Sequence, residues 1–225
     1  LIDASDVALE SIINGRNYDI SYKEIENYFK SLKYLESIDE SEIDENLLAT
    51  YLTILRNEQE LISFYRNRDF MQKTNYFISQ IPDDVPASEI EQLMTDLMRF
   101  LKDNSIDLMV KIGAIVYTFD YVKPFKDFNQ EIAILLCKKV MKQKFGHGLV
   151  SLIPMENIIC NKKIHNELYK EVIKTKDLTY VINSVGEMVN NALKTFLDRI
   201  VLLDTNELRQ VALAGDSKED FEKEF

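Results

Sequence analysis

The chain has no tryptophan and only 2 histidines, 2 cysteines, 6 glycines and 4 prolines, and each shortage closes off a class of protein. Cys137 and Cys160 build no disulfide framework, and neither sits in a C-x-x-C or Cys/His metal spacing, so a reducing cytoplasm is the expected setting. Basic charge is short as well. A net charge of −11 and a pI near 4.8 disfavour phosphate backbones and anionic lipid, both of which reward clustered Lys and Arg, so nucleic acid is not an expected partner. No apolar run reaches the ~18 residues that span a bilayer, and no charged-then-apolar leader opens the chain, so no membrane partner is expected. The two histidines carry no expected catalytic role. His147 lies between glycines at a helix end, and His165 has only Glu167 at ligand spacing.

What is present is apolar material at helical spacing, 46% of the chain, enough for a buried core. With so few helix breakers the expected class is all-α. Ser21 and Glu24 form a capping box ahead of Ile25, Phe29, Leu32 and Leu35. Leu47, Leu48, Tyr51, Leu52 and Leu55 make the next stripe. A second box, Ser88 and Glu91, precedes Ile90, Leu93, Met94, Leu97, Met98 and Leu101 on one face. Ser105 is expected to cap a helix to about Phe119, apolar nearly all round and therefore central. Helices are further expected over 132–144, 162–174 and 177–201. Tyr76-Phe77-Ile78 is β-favouring, and Pro82 and Pro86 block helix nearby. Residues 1–201 are thus expected to form one helical domain, with 202–225 an acidic tail or the start of another module.

Between two of these helices lies Lys123-Pro124-Phe125-Lys126-Asp127-Phe128-Asn129-Gln130-Glu131. It resembles the Fic (Fido) family signature H-P-F-x-D/E-G-N-G-R-x-x-R. Pro124, Phe125, Asp127 and Asn129 match, while Lys123 stands for the histidine, Phe128 and Gln130 for the glycines, and Glu131 and Ile134 for the arginines. Ala114–Val122 is similar to the helix that leads into the motif. Ser63-Phe64-Tyr65-Arg66-Asn67 is similar to the family's G-x-Y-R segment, and Phe70–Phe77 falls where the family carries a β-hairpin flap. Ser11-Ile12-Ile13-Asn14-Gly15 is similar to its S-x-I-E-G inhibitory helix, with Asn14 for the glutamate. The resemblance implies a Fic-like helical bundle with a central helix-loop-helix and a small hairpin flap.

For chemistry the resemblance implies loss. The family histidine is the general base in transfer of a nucleotide monophosphate to a protein hydroxyl; a lysine does this near neutral pH only if its ~10.4 reference pKa falls by several units. The ordinary reading of Lys123 is a solvated loop lysine. Asn129, Glu131, Phe128 and Gln130 occupy nucleotide-binding positions. However, the glycines form a phosphate nest that Phe128 and Gln130 resist, and Glu131 puts negative charge where an arginine would grip phosphate. At ~4 Å and an effective dielectric of ~20 that exchange opposes binding by several kcal/mol. Asp127 holds the metal-acid position and could keep Mg²⁺; its ordinary reading is a cap on the following helix. Asn14 and Ile134 remove both partners of the family's inhibitory pair, which avoids stranding a charge.

The first expectation is therefore a degenerate Fic-like pseudoenzyme without cofactor, no longer performing AMPylation, acting as an interaction or regulatory module. A protein partner could add a strand at the flap, Phe70–Phe77. The alternative is a diverged nucleotidyl- or phospho-transferase that uses ATP and Mg²⁺ and modifies protein hydroxyls. An unrelated helical bundle with a chance loop match is a third possibility, and it predicts no helix-loop-helix with an overlying hairpin at 70–78.

Overall fold

A computed structural model describes residues 22–38, 42–58, 64–67, 85–145, 150, 153–156, 168–169, 171–172 and 174–214. Helix α1 spans Tyr22–Ser37 and α2 spans Glu45–Arg56. Helix α3, Ile90–Lys102, follows a 3-10 turn over Ala87–Glu89. Helix α4, Leu108–Tyr117, runs directly into a π turn, Thr118–Val122. Helix α5 is Asn129–Phe145 and α6 is Thr179–Ala214. No strand occurs among the described residues. The expected flap at 70–78, the segment Ser11–Gly15, both histidines and Cys160 lie outside them.

Local chemistry explains the helix ends, and in two places it differs from the expectation. Asp44 caps α2 by accepting from the Leu47 amide at 2.9 Å, and Asn57 closes it in the left-handed conformation with φ 56°. The expected Ser88 and Glu91 box is replaced by the 3-10 turn, whose last residue Glu89 makes no side-chain cap on α3. The cap of α4 is Asp107 rather than Ser105: its carboxylate accepts from the Met109 amide at 2.8 Å. Ser105 instead donates its hydroxyl and amide to Asp103, which holds that carboxyl below its usual range. A carboxylate is the stronger acceptor, and Asp107 stands nearer the first apolar residue of the helix.

The most enclosed helix is α5 and not α4. Every residue of α5 from Ile132 through Lys142 is buried, whereas α4 leaves Leu108, Met109 and Val110 half-buried. Three buried lysines of α5, Lys138, Lys139 and Lys142, disguise this centrality in the sequence. Lys142 donates to the carbonyls of Leu35, Glu36 and Ile38 at 3.0, 2.8 and 3.1 Å, satisfying the otherwise unpaired C-terminal end of α1. Lys139 reaches the Ile38 carbonyl at 3.5 Å, and Lys111 serves α3 likewise through Leu101 at 2.7 Å. Buried lysine stems thus pack as apolar chains while their ammonium groups answer helix ends.

Around α5 the bundle closes through α1, α2 and α4, with α3 and α6 packed on α4. Gly113 sets the approach of α6 to α4. A Cβ there would lie 2.8 Å from Ile182 Cγ1 and 3.3 Å from its backbone Cα. Replacing Gly113 by alanine is therefore expected to cost about 1–2 kcal/mol, overpacking outweighing the ~1 kcal/mol gain in helix propensity. Urea denaturation checks this.

Two apolar residues expected inside are exposed, Leu93 at the rim of α3 and Leu197 on α6. Nor does α6 stop at 201: it continues to Ala214, because Leu202–Ala214 contains neither Gly nor Pro.

Candidate functional site

The turn between α4 and α5 is built by a change of helical pitch. The Lys123 amide donates back to the Thr118 carbonyl at 3.3 Å, closing one π turn, and Lys123 then adopts φ 49° and ψ 66°. Its side chain is exposed. Phe128 is the second left-handed residue of the loop, φ 57°, with its ring half-buried against the core. A non-glycine in this region costs about 1–2 kcal/mol, so the surroundings must hold both positions.

Aromatic packing supplies part of that hold. Pro124 is buried and Phe125 is fully buried. The Phe125 ring lies 5.5 Å from Phe64, 6.0 Å from Phe119, and 5.7 Å from Tyr65, with which it stacks nearly parallel. Tyr65 donates its hydroxyl to Glu45 at 2.8 Å; burial, and then that acceptor, push the phenol pKa up.

Arg66 supplies the rest. Its amide donates to the Pro124 carbonyl at 2.9 Å, and its guanidinium to the carbonyls of Lys123 at 2.9 Å, Val122 at 3.2 Å, and Val85. Asn129 locks the loop from the other side: its side-chain carbonyl accepts from the Phe125 amide at 2.9 Å while its NH₂ donates to the Phe125 carbonyl at 2.8 Å. Arg66→Ala is expected to cost about 2–3 kcal/mol, since buried carbonyls lose charged donors. Lysine at 66 should restore only part of it, lacking the planar fork. Thermal unfolding of the three proteins tests the order.

Each residue singled out in the motif has a definite place. Asp127 does not cap α5: its Oδ1 accepts from Arg56 Nε at 2.9 Å and Nη2 at 2.7 Å. Gln130 and Glu131 sit half-buried in the first turn of α5, where the helix dipole favours the Glu131 charge. Ile134 is buried in the core, and Lys126 is exposed. Among the described residues, no group of three or more His, Cys, Asp or Glu could hold a metal ion.

Beside the loop, Tyr117 stacks on Tyr121 at 5.2 Å and meets Tyr169 edge-on at 5.3 Å, while Tyr169 donates to Asp120 at 2.9 Å. Burial pushes the Tyr117 phenol up to about 12 and that of Tyr169 higher still, so both are hydrogen-bonding neutral groups near pH 7. The Cys137 thiol is fully buried and likewise shifted up by burial, which leaves it unreactive.

Sequence reasoning named Arg66 only as a match to a family segment and did not consider Arg56. The first had a usable signal, an arginine directly after the matching Tyr65. The second had none, because an arginine closing a surface helix is common.

No protein-family model matches the chain, and no curated protein does. Among solved structures it is similar to a Fic family protein from Desulfovibrio desulfuricans G20, with 19% identity and a TM-score of 0.59 over 85% of this chain. The chain spans 63% of the length of that neighbour. At this identity the likeness establishes fold, and the class is a helical domain of Fic-like fold. The helix-loop-helix that a chance loop match does not predict is present at α4–α5, while the hairpin at 70–78 lies outside the described residues.

Proposed function

We propose that this chain is a degenerate Fic-like domain, a pseudoenzyme without adenylyltransferase activity that acts as an interaction or regulatory module. The observation that carries the reading is the condition of Asp127 and Phe128. The carboxylate at the metal-acid position is bonded to Arg56, and a half-buried aromatic ring takes the place of a phosphate-facing glycine. Arg56 competes with a cation for this carboxylate, of which only Oδ1 is bonded, and the Phe128 ring stands where converging backbone amides would meet phosphate, so the residues disfavour Mg²⁺ bridging a nucleotide. Glu131 in the next turn adds repulsion toward phosphate. The partner on this reading is a protein, met in a reducing cytoplasm.

Calorimetry with Mg²⁺-ATP tests the loss of nucleotide binding. No heat is expected at micromolar nucleotide, and clear affinity in that range would overturn the reading. A second reading, a diverged nucleotidyl- or phospho-transferase, draws on one specific feature: Phe128 retains the left-handed backbone that a nest-forming glycine would use. It predicts transfer of label from ATP, UTP, GTP or CTP to protein hydroxyls, abolished by Asp127→Asn.

A further inference from the structure

Two arginines close together in the chain hold the α4–α5 loop from different sides, and they differ in kind. Arg66 is 7% exposed and bonds backbone carbonyls that any loop sequence would present. Arg56 ends α2 and, among the described residues, bonds only Asp127, the single acidic residue of 123–128. Its side chain is 12% exposed while that of Asp127 is 45% exposed, so the guanidinium is fixed against the bundle and the carboxylate lies on the solvent side. Both donors converge on one oxygen.

We propose that the Arg56–Asp127 pair is an electrostatic latch that keeps the loop docked, neutralising its one acid from within the chain. The strained positions give it something to oppose, because Lys123 and Phe128 both sit left-handed and gain by relaxing when the loop is released. The most buried contacts, at Phe125 and Arg66, define the docked geometry. Arg56 then sets how often the loop as a whole leaves it. The latch concerns loop motion and stands whether or not the domain binds nucleotide.

Hydrogen exchange on the whole chain reads this directly, with the amides of Phe125 and Arg66 as reporters, since both donate within the docked loop. In Arg56→Met, which keeps the apolar stem, their exchange is expected to rise about threefold to fivefold. Asp127→Asn should do the same, and the double variant should add little to either single one. Raising salt from low to about 1 M should speed loop exchange in the wild type and leave Arg56→Met unchanged, because screening acts only on a charge pair. Unchanged reporter exchange in both single variants would overturn the latch. So would additive effects in the double variant, or a uniform rise that includes Leu136 in α5, which would mark general destabilisation. Such a result would leave the calorimetric test of nucleotide binding untouched.

Discussion

Lys138→Met is expected to destabilise the fold by about 3–5 kcal/mol, because it strands a carboxylate in the core. Lys138 and Glu156 are each 1% exposed, with Nζ and Oε1 3.2 Å apart, and Tyr28 donates its hydroxyl to the same Oε1 at 2.6 Å. The other carboxylate oxygen, Oε2, has no hydrogen-bond partner among the described residues. The cluster is therefore already under-satisfied, and removing its cation leaves a single neutral donor to solvate a buried charge. Glu156→Gln should cost less, since the amide oxygen can still accept from Tyr28. In the double variant Lys138→Met with Glu156→Leu, most of the loss should return, as apolar replacement of a buried pair is often near neutral. Urea midpoints for the two singles and the double separate these cases: a double as unstable as the sum would show that packing, not the stranded charge, carries the effect.

Phe125→Ala is expected to cost a similar 3–5 kcal/mol, the range for emptying a fully buried aromatic site. The ring touches Phe64, Tyr65 and Phe119, so its removal detaches the segment before Arg66 as well as the π turn before Lys123. Loss should thus appear in two places, as lower global stability and as faster exchange of the Arg66 amide, whose acceptor is Pro124. Phe125→Leu should retain about half the stability, filling volume without the stacked contact to Tyr65. A Leu variant no better than Ala would point to ring stacking as the main term.

These two effects also mark what the sequence did and did not reveal. Phe125 was legible as an anchor: an aromatic after proline, in a loop between apolar helices, has few other uses. Lys138 was not. It lies in a run with Lys139 and Lys142 that looks like one charged face, and a charged face argues for solvent. Only the placement of Glu156 and of the α1 carbonyls turns that face inward, which is why α5 and not α4 is the enclosed helix. Asp127 follows the same pattern. A carboxylate two residues before a helix suits a cap, and its actual partner stands 71 positions away in the chain.

By itself the sequence determined the all-helical class, the placing of most helices and the loop that joins α4 to α5. Those follow from apolar spacing and from scarce glycine and proline, which act over a few residues. It also determined which side chains occupy the motif positions, and hence the expectation that phosphate would be poorly held. Only the tertiary structure decided which charges are satisfied and by whom: Lys142 at the end of α1, Lys138 with Glu156, Arg66 on the loop carbonyls and Arg56 on Asp127. A charge is stable in a protein only where its partner and its desolvation are both settled, and both depend on segments far apart in the chain.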